Sequence, residues 1–324
     1  MNYPKTLYEA IQFFSDEDAA IRFVAKIRWP DGMKCPTCGR TDVAYLAKQR
    51  RWQCKSAHSH RQFSVKVGTI FEDSPVSLGK WLIALWMEAN SKNAISSHEL
   101  HRALGITQKT AWSMLHRIRL ALQHGTFDTK LTGEVEVDET FIGGRARNMH
   151  VGQRKAKGRG AVGKAVVMGL LQRHGEVRTE VVEDTKRRTL QPRVHAHVEK
   201  GSCVYSDALA SYEGLGADYA HQVVDHAECY VRGRVHTNGL ENFWSLFKRC
   251  IHGTHVSIEP FHLFRYLDSE TFRFNNRKTD DGQRFMLGLG GVSGKRLTYK
   301  SLIGETEKHL PTGNDEGSAL ATTD

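Results

Sequence analysis

Within a short stretch the chain places Cys35-Pro-Thr-Cys38-Gly39, then Cys54, His58 and His60. A Cys-Pro-x-Cys-Gly turn aims two thiolates at one tetrahedral ion, and the glycine relieves the tight turn behind the second. Cys54 and one histidine complete a closed Cys3His site, the pattern of a structural zinc ribbon without an open catalytic position. Both Cys54-x3-His58 and Cys54-x5-His60 are workable spacings, with His58 preferred. So small a segment holds too few apolar residues to fold without a metal to close it. The first twenty residues lack a basic start followed by an apolar run, so no secretion signal is expected. A reducing, cytoplasmic setting favours metal over disulfides. Cys203, Cys229 and Cys250 read as buried apolar-type residues.

A length of 324 residues suits two or three compact units. An apolar share of 40% and a charged share of 25% are globular values. The longest apolar runs, Trp81–Met87 and Ala165–Leu171, fall well short of the roughly 20 residues of a membrane-spanning helix, so no membrane role is expected. The formal charge is +10, and much of it sits in RARNMHVGQRKAKGRGAVGK. That stretch carries Arg145, Arg147, Arg154, Lys155, Lys157, Arg159 and Lys164 with no acid; without them the chain would carry about +3. A patch of this kind suits a polyanion, because neutralising phosphates releases counterions.

The pattern divides the chain into an N-terminal helical segment (1–30), the ribbon (31–74), a helical region (75–128), an alternating strand and helix region (129–280) and a C-terminal extension with a mobile tail (281–324). Ser15 can cap a helix over Asp16–Ile27. In the third region Ser96-Ser-His-Glu99 is a capping box opening a short helix. Leu104-Gly105-Ile106 turns the chain, and Thr107 caps a longer helix from Gln108. Short helix, glycine turn and second helix make a helix-turn-helix pattern. It would expose Gln108, Lys109, Thr110 and Ser113 at the start of the second helix, where DNA is read.

In the fourth region Gly133–Asp138 alternates as a strand expected to end at Asp138, and Ser202–Ser206 is a short buried strand followed by Asp207. Asn238–Ile251 is a strongly amphipathic helix. Asp138, Asp207 and Glu241 would then be carboxylates on rigid elements, able to hold two divalent ions, Mg2+ or Mn2+, that clamp attacking and leaving oxygens in phosphoryl transfer. Asn238, Glu241, Ser245 and Lys248 share one helix face, with Trp244 beside them. Lys248 is too far from Glu241 to pair with it, and suits a phosphate. His195 and His197 point to different sides of a helix, His174 is a turn residue, and Asp225, His226 and Glu228 are lesser candidates.

The ribbon, FSVKVGTIFEDSP at Phe63–Pro75, VDETFIGGR at Val137–Arg145, YSDALASY at Tyr205–Tyr212 and HTNGLENFWSLFKR at His236–Arg249 resemble bacterial insertion-sequence transposases of the ISXO-like subgroup. The resemblance runs from about Phe13 to Arg277. It implies an α/β (α+β) chain: an RNase H-like mixed sheet flanked by helices, preceded by the zinc ribbon and the helix-turn-helix. Asp138 and Asp207 match the first two acids of a DDE site. Glu241 or Asn238 is the third, and Lys248 follows. Implied cofactors are two Mg2+ or Mn2+ ions and a structural Zn2+. Implied partners are double-stranded DNA, both terminal inverted repeats and target, and a second copy of the chain or more. Trp244, Arg249 and the basic stretch would touch DNA in a nucleoid-associated protein. The implied reaction frees a 3′-OH at an element end and joins it to target DNA. The alternative is a domesticated DNA-binding regulator that has lost catalysis.

Overall fold

Short oxygen-bearing side chains set where the first helices begin. Thr6 accepts the Glu9 N–H to open α1 (Leu7–Phe14), and Asp16 accepts the Asp18 N–H to open α2 (Glu17–Arg28). Ser15, the expected cap of this helix, instead closes α1 and turns its hydroxyl back to donate to the Gln12 carbonyl. The computed structural model describes residues 3–123, 129–143, 163–224 and 235–305.

The ribbon is a three-stranded antiparallel sheet of β1 (Val43–Leu46), β2 (Arg51–Cys54) and β3 (Gln62–Phe63). Trp29, Trp52 and Phe63 pack together at its base. Ser77 caps α3 (Leu78–Asn90), and the Glu17 carboxylate accepts the Leu78 and Gly79 N–H groups at 2.7 and 3.1 Å, tying α2 to the start of α3. The capping box of Ser96 and Glu99 opens α4 (Ser97–Leu104). Gly105 closes it at φ 58°, and Thr107 opens α5 (Gln108–Leu122).

The larger sheet contains β4 (Glu134–Ile142), β5 (Ala165–Gln172), β6 (Val177–Val182), β7 (Cys203–Asp207) and β8 (Ala220–Val224), in the order β6-β5-β4-β7-β8. β5 runs antiparallel to β4, and β6 antiparallel to β5. β7 is parallel to β4, and β8 to β7. α6 (Arg187–His197) covers one face with Leu190 and Val194 against Val135, Val137 and Val204. α7 (Asn238–Cys250) and α8 (Leu263–Asn275) cover the other, with Leu240, Phe243, Phe247 and Leu267 against Val167 and Leu171. This is the mixed, helix-flanked sheet of an RNase H-like core.

The chain then returns to its beginning. α9 (Asp281–Gly290) places Phe285 and Leu289 in the same core as α1, α2 and α3, and α10 (Tyr299–Leu302) lies against α5. Residues 281–292, which the sequence pattern sets apart as an extension, thus help build the N-terminal core. The tail beyond residue 305 lies outside the described residues. No helix among the described residues is long and apolar enough to cross a membrane.

A buried charge network joins the N-terminal helices to α8. Arg119 of α5 donates to Glu88 of α3 at 2.9 Å, and Ser269 of α8 donates to the same oxygen at 2.8 Å. Arg273 donates to the Glu88 carbonyl at 3.1 Å and pairs with Glu270 at 2.6 Å. Burial pushes the Glu88 carboxyl up, but Arg119 and Arg273 outweigh it and hold it below the ordinary range. Removing one partner would strand buried charge, so Glu88→Ala is expected to lower unfolding free energy by about 3–5 kcal/mol in urea titrations.

Candidate functional site

Parallel pairing of β4 with β7 runs from Glu134 opposite Cys203 to Glu136 opposite Tyr205. Continued by two residues, that register sets Asp138 beside Asp207, on strands roughly 4.8 Å apart. Asp138 is not the end of its strand, as the alternation predicts: β4 continues to Ile142, because β5 pairs with it as far as Ala165. It is on the other side, where β7 stops at Asp207, that the sheet ends. Burial, then the charge of Asp207 and, more weakly, that of Glu241, push the Asp138 carboxyl up to about 6. The charges of Asp207 and Glu241 thus both bear on Asp138.

Glu139 was not singled out in the sequence. Burial, with Asp138 and Asp207 adding to it, pushes its carboxyl up to about 9, and its Oε1 is buried without a hydrogen-bond partner among the described residues. Its only sequence signal is its place directly after Asp138.

α7 is held onto β4 at two points. At its start, buried Glu136 accepts the Leu240 N–H at 3.0 Å and pairs with Arg173 at 2.9 Å. Arg173 also donates to the His236 carbonyl at 2.8 Å and lies over the Tyr205 ring. Gly239 permits the approach, since a Cβ there would stand 2.7 Å from the Glu136 carboxylate. One turn on, the Trp244 indole N–H donates to Asp138 Oδ2 at 3.0 Å. Glu241 lies between these anchors. Asn238, Glu241, Ser245, Lys248 and Arg249 are all exposed. Glu136, Arg173 and His236 escaped the sequence reading, because their roles arise from pairing between distant segments. Trp244 requires a correction. It is 4% exposed and packed on the sheet, so it is not available to DNA.

In the ribbon, the ligand atoms of Cys35, Cys38, Cys54 and His58 all lie within 4.8 Å of one another, the one His/Cys/Asp/Glu group of this kind among the described residues. Cys38 Sγ stands 3.6 Å from Cys54 Sγ, and Cys35 Sγ 3.5 Å from His58 Nε2. Those spacings fit a tetrahedral zinc, whose S···S edges are about 3.8 Å for 2.3 Å bonds. Gly39 takes φ 72° behind the second thiol, as the turn requires. His60 stands outside the group, in contact with Ser59.

Of the residues at the start of α5, Lys109 is exposed and lies over the Tyr299 ring, Thr110 meets Thr107, Gln108 donates to Ser97, and Ser113 is half-buried. Lys164 is half-buried against Gly143. Arg145, Arg147, Arg154, Lys155, Lys157 and Arg159 lie outside the described residues, as do Asp225, His226, Glu228 and Cys229. His195 and His197 make separate contacts, with Tyr219 and with Glu180.

Residues 130–275 match the ISXO2-like transposase domain, and residues 15–60 match the transposase zinc-ribbon domain. An uncharacterized protein in transposable element ISH50 of Halobacterium salinarum is 29% identical over 272 residues, 79% of this chain and 90% of that protein. An uncharacterized transposase-like protein of Haemophilus influenzae is 31% identical over 102 residues, 31% of this chain and 82% of that protein. A chain in the crystal structure of the Mos1 strand transfer complex aligns with 64% of this chain and 73% of its own, at 13% identity and a TM-score of 0.24, too low to carry weight.

Two outcomes are expected. His58→Ala is expected to lower the zinc content of purified protein, measured by atomic emission, while His60→Ala leaves it near one ion per chain. For Asp138, a folded-state value of about 6 against 3.8 means the folded chain binds this proton more tightly than the unfolded one. Its contribution to stability is complete at acid pH and is lost as pH rises through the folded value. Asp138→Asn is therefore expected to stabilise the metal-free protein near neutral pH, on the order of 1–3 kcal/mol. The gain should vanish at about pH 4, the ordinary aspartate range; urea unfolding at the two pH values reads it.

Proposed function

The chain belongs to the ISXO2-like transposases, and from that premise we propose that it is an active DNA transposase, cutting element ends and joining the freed 3′-OH to target DNA. What supports this reading is that the β4–β7 register, continued by two residues, sets Asp138 abreast of Asp207, and that the helix carrying Glu241 is hydrogen-bonded down onto the strand of Asp138.

The donor set fits two hard divalent cations, Mg2+ or Mn2+. It offers carboxylate oxygens on rigid elements, and one carboxylate is already disfavoured as an anion by its burial and then by its acidic neighbours. Bound there, such ions supply charge neutralisation at the phosphodiester and a lowered pKa for the attacking hydroxyl. Asp138 and Asp207 would hold them from the sheet and Glu241, or in its place Asn238 one turn before it, from the helix. Lys248, two turns beyond Glu241, would hold a phosphate of the bound strand. In the first step water attacks the phosphodiester and the bond to the 3′ oxygen breaks, leaving a 3′-OH. In the second, that hydroxyl attacks a target phosphodiester and displaces its 3′ oxygen. The number of phosphodiester bonds is conserved in this joining step, and no protein adduct is needed.

The ribbon, with a structural zinc on Cys35, Cys38, Cys54 and His58, and the region of α4 and α5 would grip the terminal inverted repeats. The basic residues between Ile142 and Ala165 would contact DNA phosphates. Bringing two ends to one target calls for at least two copies of the chain. Retention of all three acids and Lys248 favours this reading over an inactive regulator.

Asp207→Ala is expected to abolish nicking of an element-end duplex in Mg2+ and to leave duplex binding within about twofold in gel-shift titrations, since a loss confined to the reacting centre removes transition-state stabilisation rather than uniform binding. Nicking by that variant at the wild-type rate would overturn the assignment.

A further inference from the structure

Among the described residues, Asp138 receives two hydrogen bonds, one on each oxygen. The Glu139 N–H donates to Oδ1 at 2.9 Å and the Trp244 indole N–H to Oδ2 at 3.0 Å. A carboxylate offers about four lone-pair sites, so each oxygen retains one for a cation while the group's orientation is fixed. The indole reaches this place through a gap in the neighbouring strand. Gly169 of β5 is paired directly with Asp138. A Cβ on Gly169 would stand 2.6 Å from Trp244 Cζ2, 3.0 Å from Cη2 and 2.9 Å from Leu240 Cδ2. Glycine in the middle of a strand weakens it, and its presence marks a close approach of another group. Here that group is the ring that holds the first acid.

Trp244 also lies one turn after Glu241 on α7, so its bond to Asp138 fixes the third acid relative to the first. An aliphatic residue could fill the same apolar space, but would leave Asp138 Oδ2 without this donor.

We propose that Trp244 is a positioning residue of the phosphoryl-transfer centre, holding Asp138 in its cation-binding orientation and setting the spacing between β4 and Glu241, with Gly169 as the gap that admits its ring. This rests on the reading of Asp138 and Glu241 as cation-holding acids.

Trp244→Phe keeps a ring over Gly169 and deletes the N–H. Gly169→Ala keeps the N–H and displaces the ring. Zinc-loaded full-length wild type and both variants would be titrated with Mn2+, free ion being read by electron paramagnetic resonance. The same proteins would be assayed for thermal unfolding, for end-duplex binding and for kcat and KM in nicking. Both variants are expected to bind Mn2+ roughly ten- to a hundredfold more weakly, the usual effect of removing a partner that orients a metal ligand. Their kcat should fall while KM and duplex affinity stay at the wild-type values. Wild-type Mn2+ affinity in folded Trp244→Phe would overturn the proposal; should that variant fail to fold, wild-type affinity in Gly169→Ala would do so. Failure of the wild type itself to bind Mn2+ or to nick DNA would instead overturn the underlying assignment of the acids, and this inference with it.

Discussion

Two carboxylates held side by side on adjacent parallel strands repel each other, and the surroundings of Asp138 and Asp207 are organised to keep them there. The register of β4 and β7 leaves no choice of spacing: a slip of one residue would turn Asp138 to the opposite face of the sheet. Burial of Asp138 and, after it, the Asp207 charge push the Asp138 carboxyl up to about 6.

The third acid comes from a different kind of element, and its placement depends on contacts rather than on register. Glu136 and Trp244 fix α7 to the sheet at points on either side of Glu241. Glu136 is itself held by Arg173, so the start of the helix is anchored through a charged network in addition to the apolar packing of Leu240. α8 extends the arrangement outward. It packs on the same face of the sheet as α7 and carries Ser269 and Arg273 into the Glu88 network of the N-terminal helices. α8 thereby joins the N-terminal body and the sheet, with Arg273, Ser269 and Phe272 on one side and Leu267, Phe274 and Asn275 on the other.

Local features were the most legible in the sequence. The Cys-Pro-x-Cys-Gly turn, the Ser96 capping box and the turn at Gly105 are set by neighbours a few residues apart, and all three are present. The acids were legible through strand alternation and the family resemblance, yet the end of β4 was misplaced because β5 extends the pairing beyond Asp138. Ser15 lost the capping role to its neighbour Asp16, a competition between adjacent oxygen-bearing side chains that composition does not decide. The anchors of α7 were not legible. Glu136, Arg173, Gly169 and His236 are ordinary strand, turn and loop residues until the fold brings distant segments together. Trp244 was read as a DNA contact from its position beside the polar face of the helix, and only the gap at Gly169 reveals why it turns inward.

The central claim is that Asp138, Asp207 and Glu241 converge on divalent cations. Anomalous diffraction from crystals grown with Mn2+ and an element-end duplex tests it most directly. The account requires manganese peaks within coordination distance of the carboxylate oxygens of Asp138 and Asp207, with Glu241 facing the same ions. Fully occupied manganese elsewhere on the protein, with those oxygens bare and turned apart, would contradict it.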